Sequence, residues 1–430
     1  MKSKITPNLS AVQPQPVSTS GKCGGGSLLF LAMILTLAPS AVASSTWYVN
    51  GVKGSDNNDC TSPQTACKTI GHAISLASSD DSVMLAVATY TENLTVGFNL
   101  NIVGTSAGVT AKDATIIDGG GANTVVTISS VNAEVTLSNV TIRNGVVSHY
   151  GGGGINNGGT LTINNSIVSG NFAHHADPYS VAGGVYNRAG TLTINNSTIS
   201  GNGSDCGDYT GCTTAGGGVF NGGSLTINNS TISGNSSSTT VLGSFAAGGG
   251  LYNRGSLTIN NSTISGNSVT STWGGAYGGG IWNDNPATLA IRSSTISGNS
   301  AEGEYAGAGG ILSHGTASLQ NSIVAINTGG NCSGGVTSNG YNLSSDETCN
   351  FNNTGDMNNT PPRLGPLQTN GGPTQTMKLL RRSPALDAGN PTGCTDDKGN
   401  LLITDQRGAP RPGKRGTGGC DLGAFERQVD

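Results

Sequence analysis

Several histidines and carboxylates lie in the variable segments of a repeated sequence, where their types and spacing could support chemistry. Five of them fall within two neighbouring repeats: His174, His175, Asp177, Asp205 and Asp208. A histidine next to a carboxylate can move protons as a general acid or base. Variable segments also tolerate solvated polar residues, so the same grouping is compatible with no catalytic role. We treat these five as candidate catalytic residues and predict neither a metal site nor a cofactor.

A second group of residues could bind a ligand without reacting. An aromatic side chain recurs at one repeat position, and an arginine follows two residues later in two of the repeats: Tyr186, Phe220, Tyr252, Trp282, Arg188 and Arg254. Outward rings in a row would form a flat platform for sugar rings, with the arginines beside it. The rings could instead stack on one another, since offset aromatic pairs stabilise by about 0.5 to 1.5 kcal/mol. The sequence leaves both interpretations open.

A repeat in the middle of the chain determines the elements that must position these groups. Versions of Asn-Asn-Ser-Thr-Ile-Ser-Gly-Asn begin at Asn164, Asn195, Asn228, Asn260 and Arg292, spaced 31, 33, 32 and 32 residues apart. Apolar and polar residues alternate around this phrase, which is typical of strands. Strand repeats of about 30 residues predict a β-solenoid with one coil per repeat. The crossover rule favours a right-handed parallel β-helix, an all-β fold.

Stacked coils are about 4.8 Å apart, so equivalent side chains should form rows. The amides of Asn195, Asn228 and Asn260 should stack as a ladder. Outward threonines should form another row: Thr198, Thr231, Thr263 and Thr295. Such an array could match ice, or could reflect only the preference of Thr for strands.

The first 43 residues have the features of a secretory signal peptide. Lys2, Lys4 and Lys22 precede an apolar run over residues 28–38, and small residues follow at 41–43. The run is shorter than the roughly 20 apolar residues needed to span a membrane. We expect cleavage after position 43 and a secreted or cell-envelope chain without a membrane span.

The cysteines indicate an oxidising compartment. Eight cysteines follow the predicted signal peptide, and an even number in an exported chain suggests disulfides. They fall in four couples that are close in sequence: Cys60–Cys67, Cys206–Cys212, Cys332–Cys349 and Cys394–Cys420. Local pairing is the simplest of the roughly 105 possible connectivities. A zinc site is the alternative, although no CxxC or HxxxH spacing accompanies these cysteines.

The repeat resembles those of right-handed parallel β-helix proteins of the pectate-lyase-like superfamily. Its Gly-Gly-aliphatic and terminal-Asn pattern is also similar to the repeats of polymorphic outer-membrane proteins. The N-terminal stretch looks like the usual entry into such a helix, through these motifs: Trp47-Tyr48-Val49, Gly54-Ser55-Asp56, Cys67-Lys68-Thr69-Ile70 and Tyr90-Thr91-Glu92-Asn93. The resemblance implies a short capping helix over residues 68–78 that covers the open core.

The C-terminal segment resembles a choice-of-anchor Q module. Its matching motifs are Asn370-Gly371-Gly372-Pro373-Thr374, Ser383-Pro384-Ala385-Leu386-Asp387-Ala388-Gly389, Asp405-Gln406-Arg407-Gly408 and Asp421-Leu422-Gly423-Ala424-Phe425-Glu426. The resemblance implies an exported or surface-associated bacterial protein. We expect the charged side chains of this irregular module to pair with one another and to fix it against the last coil. The predicted domains are a signal peptide at 1–43, the β-helix with its cap at 44–350, and the module at 351–430.

The fold leaves the function open, because β-helices carry lyases, hydrolases, adhesins and spacers. The Asn-Thr-Asp, Gly-His-Gly and Arg-Ile-Lys motifs of polygalacturonase-like enzymes are absent. No strand pair shows the two carboxylates, about 5 to 9.5 Å apart, that glycosidic hydrolysis needs. We therefore expect an adhesin-like monomer that binds a polysaccharide or cell-surface glycan. A polysaccharide lyase or glycoside hydrolase acting at the loop edge and a structural spacer are the alternatives. The net charge of −4 and the lack of a basic stretch argue against nucleic acid as a partner.

Overall fold

The computed structural model describes residues 44–108, 113–148, 150–174, 181–207, 210–413 and 419–428. They belong to a compact unit, Ser44–Asp430, which is a right-handed parallel β-helix as predicted. Within these residues helical structure is confined to Ile70–Leu76 and a 3-10 turn at Pro63–Thr65. None of the described helices is long and apolar enough to cross a membrane.

Each coil contributes two strands to a large parallel sheet, which we call sheet A. Leu-Thr-Ile strands form one ladder of this sheet, and strands with an aliphatic residue, usually an aromatic, and Asn form the other. Sheet A consists of Thr46–Val49, Asp81–Leu85, Leu94–Val96, Leu100–Gly104, Val126–Ile128, Glu134–Ser138, Ile155–Asn157, Thr160–Asn164, Val185–Asn187, Thr191–Asn195, Val219–Asn221, Ser224–Asn228, Leu251–Asn253, Ser256–Asn260, Ile281–Asn283, Thr288–Arg292, Ile311–Gln320 and Cys332–Ser338.

A corner then leads into a second parallel sheet, sheet B, which contains the Thr-Ile-Ser strands. At this corner Asn165, Asn196 and Asn229 have left-handed backbones, with φ of 48°, 48° and 50°. Asn adopts this conformation more readily than most residues, which explains its recurrence here. Sheet B consists of Ala88–Thr91, Thr115–Asp118, Thr141–Arg143, Ile167–Ser169, Thr198–Ser200, Thr231–Ser233, Thr263–Ser265, Thr295–Ser297, Ile323–Ala325 and Leu343–Ser344.

The core is a stack of identical apolar residues. Ile194 pairs in register with Ile227, which pairs with Ile259, and all three are fully buried. Burying such a side chain stabilises the fold by about 1.5–3 kcal/mol. Because the strands alternate, the residues on either side of each inward position point away from the core and are free to vary.

Asparagine ladders run along the corners, and one of them was predicted. Asn195 donates to Asn164 Oδ1 at 3.0 Å, Asn228 to Asn195 Oδ1 at 2.9 Å, and Asn260 to Asn228 Oδ1 at 3.1 Å. Two buried ladders were not predicted: Asn171, Asn202, Asn235, Asn267, Asn299 and Asn327 form one, and Asn157, Asn187, Asn221, Asn253 and Asn283 form the other. The side-chain amides of these two buried ladders are thereby hydrogen-bonded, as low-dielectric surroundings require.

The N-terminal helix is present but shorter than the predicted 68–78. It begins at Ile70 because Thr69 Oγ1 caps it, accepting from His72 N at 3.2 Å. The two carboxylate oxygens of Glu92 accept from Ile70 N and Gly71 N at 2.8 Å each. Ile70, Ala73 and Ile74 form its buried face and pack against the hydrophobic core. At the other end of the core lie Phe351 and a disulfide.

The four predicted disulfide pairings are confirmed. The Cα–Cα distances are 5.0 Å for Cys60–Cys67, 6.1 Å for Cys206–Cys212, 4.7 Å for Cys332–Cys349 and 6.0 Å for Cys394–Cys420. All four lie in the usual range of about 4.4–6.8 Å for bridged cysteines.

The C-terminal module lies along the side of several coils, whereas the sequence analysis placed it against the last coil. Its two strands, Leu364–Gln368 and Thr376–Leu379, pair antiparallel. Thr231 Oγ1 donates to Gln375 O at 2.6 Å, and Ala424 N donates to Thr295 Oγ1 at 3.1 Å. The outward threonines therefore bond to backbone groups of the module outside its strands, which need hydrogen-bond partners when they are buried.

This position buries most of the predicted threonine row. Thr231, Thr263 and Thr295 are buried beneath the module, and Thr263 Oγ1 donates to Gln406 Oε1 at 2.6 Å. The hypothesis of an ice-binding array is therefore wrong, because a flat array must face solvent. Thr198 alone of the four remains partly exposed.

Two arginines of the module pair with its carboxylates, as expected. Arg407 Nη2 lies 2.7 Å from Asp405 Oδ2, and Arg411 Nη1 lies 3.6 Å from Glu426 Oε2. Arg411 is buried and also donates to the Asp421 and Gly423 carbonyl oxygens at 2.9 Å. Its Nη2 reaches Asn261 of the solenoid at 3.2 Å, which links the module to a coil.

Candidate functional site

The variable segments form a two-layered projection from the solenoid, which we call the fin. Each segment leaves the coil as an outgoing strand and comes back as a returning strand, and both layers keep the parallel register of the coils. The strands of the fin are Val146–Val147, Gly151–Gly152, Phe172–His174, Val181–Ala182, Gly203–Asp205, Thr213–Ala215, Ser236–Thr239, Phe245–Ala247, Ser268–Tyr277 and Ser300–Ala306.

The fin is thin because small residues meet between its layers. Thr214 Oγ1 donates to Ser204 Oγ at 2.8 Å, and Ala246, Val269 and Ala276 form a small buried cluster. The Cys206–Cys212 bridge joins the outgoing and returning parts of one segment. A bridge over such a short loop stabilises by about 2–4 kcal/mol. The fin is therefore an ordered surface that can hold side chains in fixed positions.

The outgoing layer carries a row of polar side chains. In successive coils the row contains His174, Asp205, Ser238, Thr270 and Glu302. His174 Nδ1 lies 2.7 Å from Asp205 Oδ1, and both side chains are partly exposed. A carboxylate on one ring nitrogen orients the other, Nε2, toward solvent, as in histidines that act as bases. The structure thus brings two of the five candidate catalytic residues together.

The other three candidates, His175, Asp177 and Asp208, lie outside the described residues. The row itself does not support two familiar mechanisms. Asp205 stands between His174 and Ser238, so the histidine is not next to a serine nucleophile. Asp205 and Glu302 are three coils apart, or about 14 Å, which exceeds the separation used in glycoside hydrolysis.

The returning layer carries exposed aromatic side chains. Phe245 and Tyr277 lie with their ring centroids 6.2 Å apart, and Trp273 and Tyr305 are more than half exposed. Tyr277 also contacts Trp282 edge-on, with 5.5 Å between the centroids. Phe245, Trp273 and Tyr305 are exposed, whereas Tyr277 is half-buried.

The predicted column is a buried ladder. Tyr186 and Phe220 stack at 4.9 Å, Phe220 and Tyr252 at 5.2 Å, and Tyr252 meets Trp282 edge-on at 5.0 Å. The first three rings are buried because the returning layer of the fin lies over them, with these alanines in contact: Ala182, Ala215 and Ala247. Alternation sends the rings out of the coil, but the fin then covers them. The platform interpretation needs exposed ring faces along the column, and the structure does not provide them.

Polar groups lie at the rim of this ladder. Tyr252 Oη donates to Asp284 Oδ2 at 3.0 Å, and Arg254 Nε lies 3.5 Å from the same oxygen. Burial raises the pKa of Tyr252, and the Asp284 carboxylate raises it further. The phenol is therefore a neutral hydrogen-bond donor at physiological pH, and the Arg254 guanidinium remains mostly exposed.

A cavity opens where the ladder stops. Asn156 occupies the position that pairs with Tyr186, so the column of rings on the coil strands does not continue past Tyr186. The cavity has a volume of about 440 Å³ and is lined by Tyr150, Asn156, Tyr186 and Arg188. Ligand sites usually measure about 300–1,000 Å³ and combine apolar walls with a few polar groups. Burial raises the pKa of Tyr186, although the nearby Arg188 opposes this, so its hydroxyl stays protonated.

Of the cavity residues, Tyr186 and Arg188 were predicted as binding residues, and Tyr150 and Asn156 were not. Tyr150 is 53% exposed at the mouth, and Asn156 is half-buried. One feature of the sequence could have indicated that a cavity lies at these residues. The aromatic column is interrupted at Asn156, and an interruption in a stack leaves a space at its end.

Metal binding finds little support in the described part of the chain. Within it, Cys60, Cys67 and His72 bring three potential ligand atoms within 4.8 Å of one another. The two cysteines form a disulfide, so they offer no thiolate to a metal.

Comparisons with known proteins add a fold likeness only. No protein-family model matches the chain, and no curated protein matches it. Among solved structures it is similar to the pectate lyase Pel9A (13% identity, TM-score 0.48, covering 90% of this chain and 98% of that one). It is also similar to XylC in complex with xylose (9%, 0.40, 88% and 98%) and to a GH136 lacto-N-biosidase from Eubacterium ramulus (10%, 0.26, 73% and 66%). Likeness at this level carries no argument about substrate or activity.

Proposed function

We propose that this protein binds a glycan in the cavity lined by Tyr150, Asn156, Tyr186 and Arg188. The observation that carries the proposal is that the buried ring ladder ends at this cavity, which is lined by two tyrosine rings and one arginine. Amphipathic rings suit a ligand that is apolar on one face and polar at its edges, as sugars are.

The cavity residues offer two kinds of contact to a glycan, apolar contact from the rings and hydrogen bonds from the polar side chains. The Tyr186 ring, held against Phe220, provides a rigid apolar wall, and the exposed Tyr150 provides a second ring at the mouth. The Asn156 amide can both donate to and accept from hydroxyl groups, and Arg188 donates to ring oxygens, hydroxyls or carboxylates. Since the Tyr186 ring is already held by stacking, little ordering entropy is lost at this wall when a ligand binds.

The wider setting of the proposal is a surface protein. We infer that the chain is exported, is cleaved after residue 43, and acts as an adhesin-like monomer on cell-surface glycans. The four disulfides support an oxidising compartment. The similarity of its C-terminal motifs to choice-of-anchor Q modules, and of its repeats to those of polymorphic outer-membrane proteins, fits the same setting.

A glycan array with the purified chain tests this proposal. Retention of the best ligand should then fall about tenfold or more in Arg188→Gln, because a donor to a desolvated ligand group is lost. Lys53→Gln removes an equal charge from an exposed site at the N-terminal end and should bind as the unmodified chain does. Equal affinities of all three proteins would refute the cavity as the binding site.

The His174–Asp205 contact supports a second candidate function, a polysaccharide lyase acting at the fin. In a lyase step the His174 imidazole would take the proton next to a uronate carboxyl group. The glycosidic oxygen would leave, and the new double bond would absorb ultraviolet light. Growth of this absorbance with uronate polymers, and its loss in His174→Gln, would support the lyase. If the chain neither binds a glycan nor releases products, the remaining interpretation is a structural spacer.

A further inference from the structure

The C-terminal module contains a basic cleft away from the cavity of the proposed function. It has a volume of about 440 Å³ and is lined by four cationic side chains, Lys378, Arg381, Arg407 and Arg427, with Phe425 among the apolar ones. No carboxylate of the described residues lines it. Positive charge is thus concentrated here, although the chain as a whole carries a net charge of −4.

Arg407 forms a fixed part of the cleft wall. Its guanidinium stacks on Phe425, 3.7 Å from the ring centroid. Its Nε and Nη2 donate to the buried Asp405 carboxylate at 2.9 and 2.7 Å, and Nη1 donates to Asn370 O at 2.9 Å. Asp405 therefore balances the charge of Arg407, which shapes the wall but contributes little net charge to the cleft.

The other three cations are available to a ligand. Lys378 and Arg381 are exposed and Arg427 is half-buried. Lys378 lies on the strand Thr376–Leu379, Arg381 on the turn after it, and Arg427 on the final segment, where Asp421 Oδ2 accepts from its backbone N at 2.6 Å. None of the three forms an ion pair within the described part of the chain. Unpaired cations in a concave site concentrate field and attract anions.

We propose that this cleft binds the carboxylate groups of an acidic polysaccharide. A small anion is bound best by donors that converge on one point, whereas these three cations are spread over two segments of the module, the strand with its following turn and the final segment. A polymer with regularly spaced carboxylates can meet them one at a time, and Arg side chains match carboxylates through paired donors. The proposal does not rest on glycan binding at the Tyr186 cavity, since the two sites share no residue.

Retention of the full chain on immobilised polygalacturonate tests the proposal, with neutral dextran as the reference polymer. The triple variant Lys378→Gln, Arg381→Gln, Arg427→Gln should lose about tenfold or more in affinity, and the loss should shrink at high salt. The control triple is Lys53→Gln, Lys68→Gln, Lys398→Gln, which removes the same charge from exposed positions elsewhere. It should change affinity by less than about threefold.

Three results would overturn the proposal. Equal losses of affinity in the two triple variants would mean that polygalacturonate is attracted by the net charge of the protein and not by the cleft. If the unmodified chain is not retained on polygalacturonate, an acidic polysaccharide is not the ligand. If free phosphate competes more strongly than free galacturonate, the cleft is a phosphate site. Thermal melting shows whether each variant is folded. Failure at the Tyr186 cavity is measured with Arg188→Gln and the best glycan of the array, and failure at the cleft with the triple variant and polygalacturonate, so that the two failures give different results.

Discussion

The coils and the fin have the same parallel register but use it differently. In the coils identical residues stack: Ile on Ile, and Asn on Asn, over many layers. In the fin the stacked positions hold unlike residues, such as His174 on Asp205. The coils therefore provide a rigid scaffold, and the fin provides chemical variety on that scaffold. The ring ladder lies between them, on a coil strand but beneath the fin.

The largest difference between the regions should appear in their aromatic rings. Phe220 is 4% exposed inside the ladder, whereas Phe245 is 42% exposed on the fin. Phe220→Ala should lower the free energy of unfolding by about 3–5 kcal/mol, because it leaves a cavity between two rings. Phe245→Ala should cost less than about 1 kcal/mol. Urea denaturation of both variants measures the contrast, and similar costs would show that the fin does not cover the ladder.

A smaller difference is expected between two asparagine ladders of the same coils. Asn235 is buried: its Oδ1 accepts from Asn202 N at 3.0 Å and Nδ2 at 2.9 Å. Asn235→Ala leaves these donors unpaired and should cost about 2–4 kcal/mol. Asn228, in the half-exposed ladder, can be replaced by water, so Asn228→Ala should cost about 0.5–1.5 kcal/mol. Equal shifts of the denaturation midpoint would contradict the assignment of the buried ladder.

The smallest expected effect concerns pH and the docked module. Burial raises the pKa of Glu426 from 4.5 to about 7, with Asp421 adding to the shift and Arg411 opposing it. A raised pKa in the folded state means that this contribution to stability is fully present below pH 4.5 and is lost as pH rises through 7. The carboxyls of Asp56, Asp118 and Asp396 have lowered pKa values, so they titrate below this window.

Thermal melting at pH 4.5, 5.5 and 7 checks the Glu426 prediction. The melting temperature of the unmodified chain should fall across this range relative to that of Glu426→Gln, whose side chain is neutral throughout. The matched variant Glu134→Gln changes an exposed carboxyl group and should follow the unmodified chain. Parallel curves for all three proteins would mean that Glu426 does not titrate in this window.

The sequence was sufficient for the features that the repeat dictates. The strand types and the ladder of Asn195 and Asn228 follow from alternation and spacing, which depend only on neighbouring coils. The disulfide pairings were predicted on a different basis, the closeness of each couple in sequence. The exposure of the rings did not follow, because it depends on where the non-repeating segments fold. The docking of the module was missed for the same reason, although apolar Ile323 and Ala325 replace Thr and Ser in sheet B where it packs.

The cavity at Asn156 could be predicted only in part, because it depends both on the repeat and on a departure from it. Its wall residue Tyr186 follows from the repeat, but the cavity exists because the column of rings ends there, with Asn156 in the next coil. In a regular stack of side chains, the position where the stack ends is therefore the place to look for a binding site. The two predicted binding residues that line the cavity, Tyr186 and Arg188, stand at that interruption.

Titration calorimetry of Asn156→Tyr with the best glycan from the array tests the central claim most directly. A tyrosine at this position pairs with Tyr186 and extends the ring ladder by one coil, which fills the cavity while keeping the fold. The account predicts that glycan binding is lost, by about tenfold or more, with a melting temperature equal to or above that of the unmodified chain. Undiminished affinity in a folded Asn156→Tyr protein would contradict it.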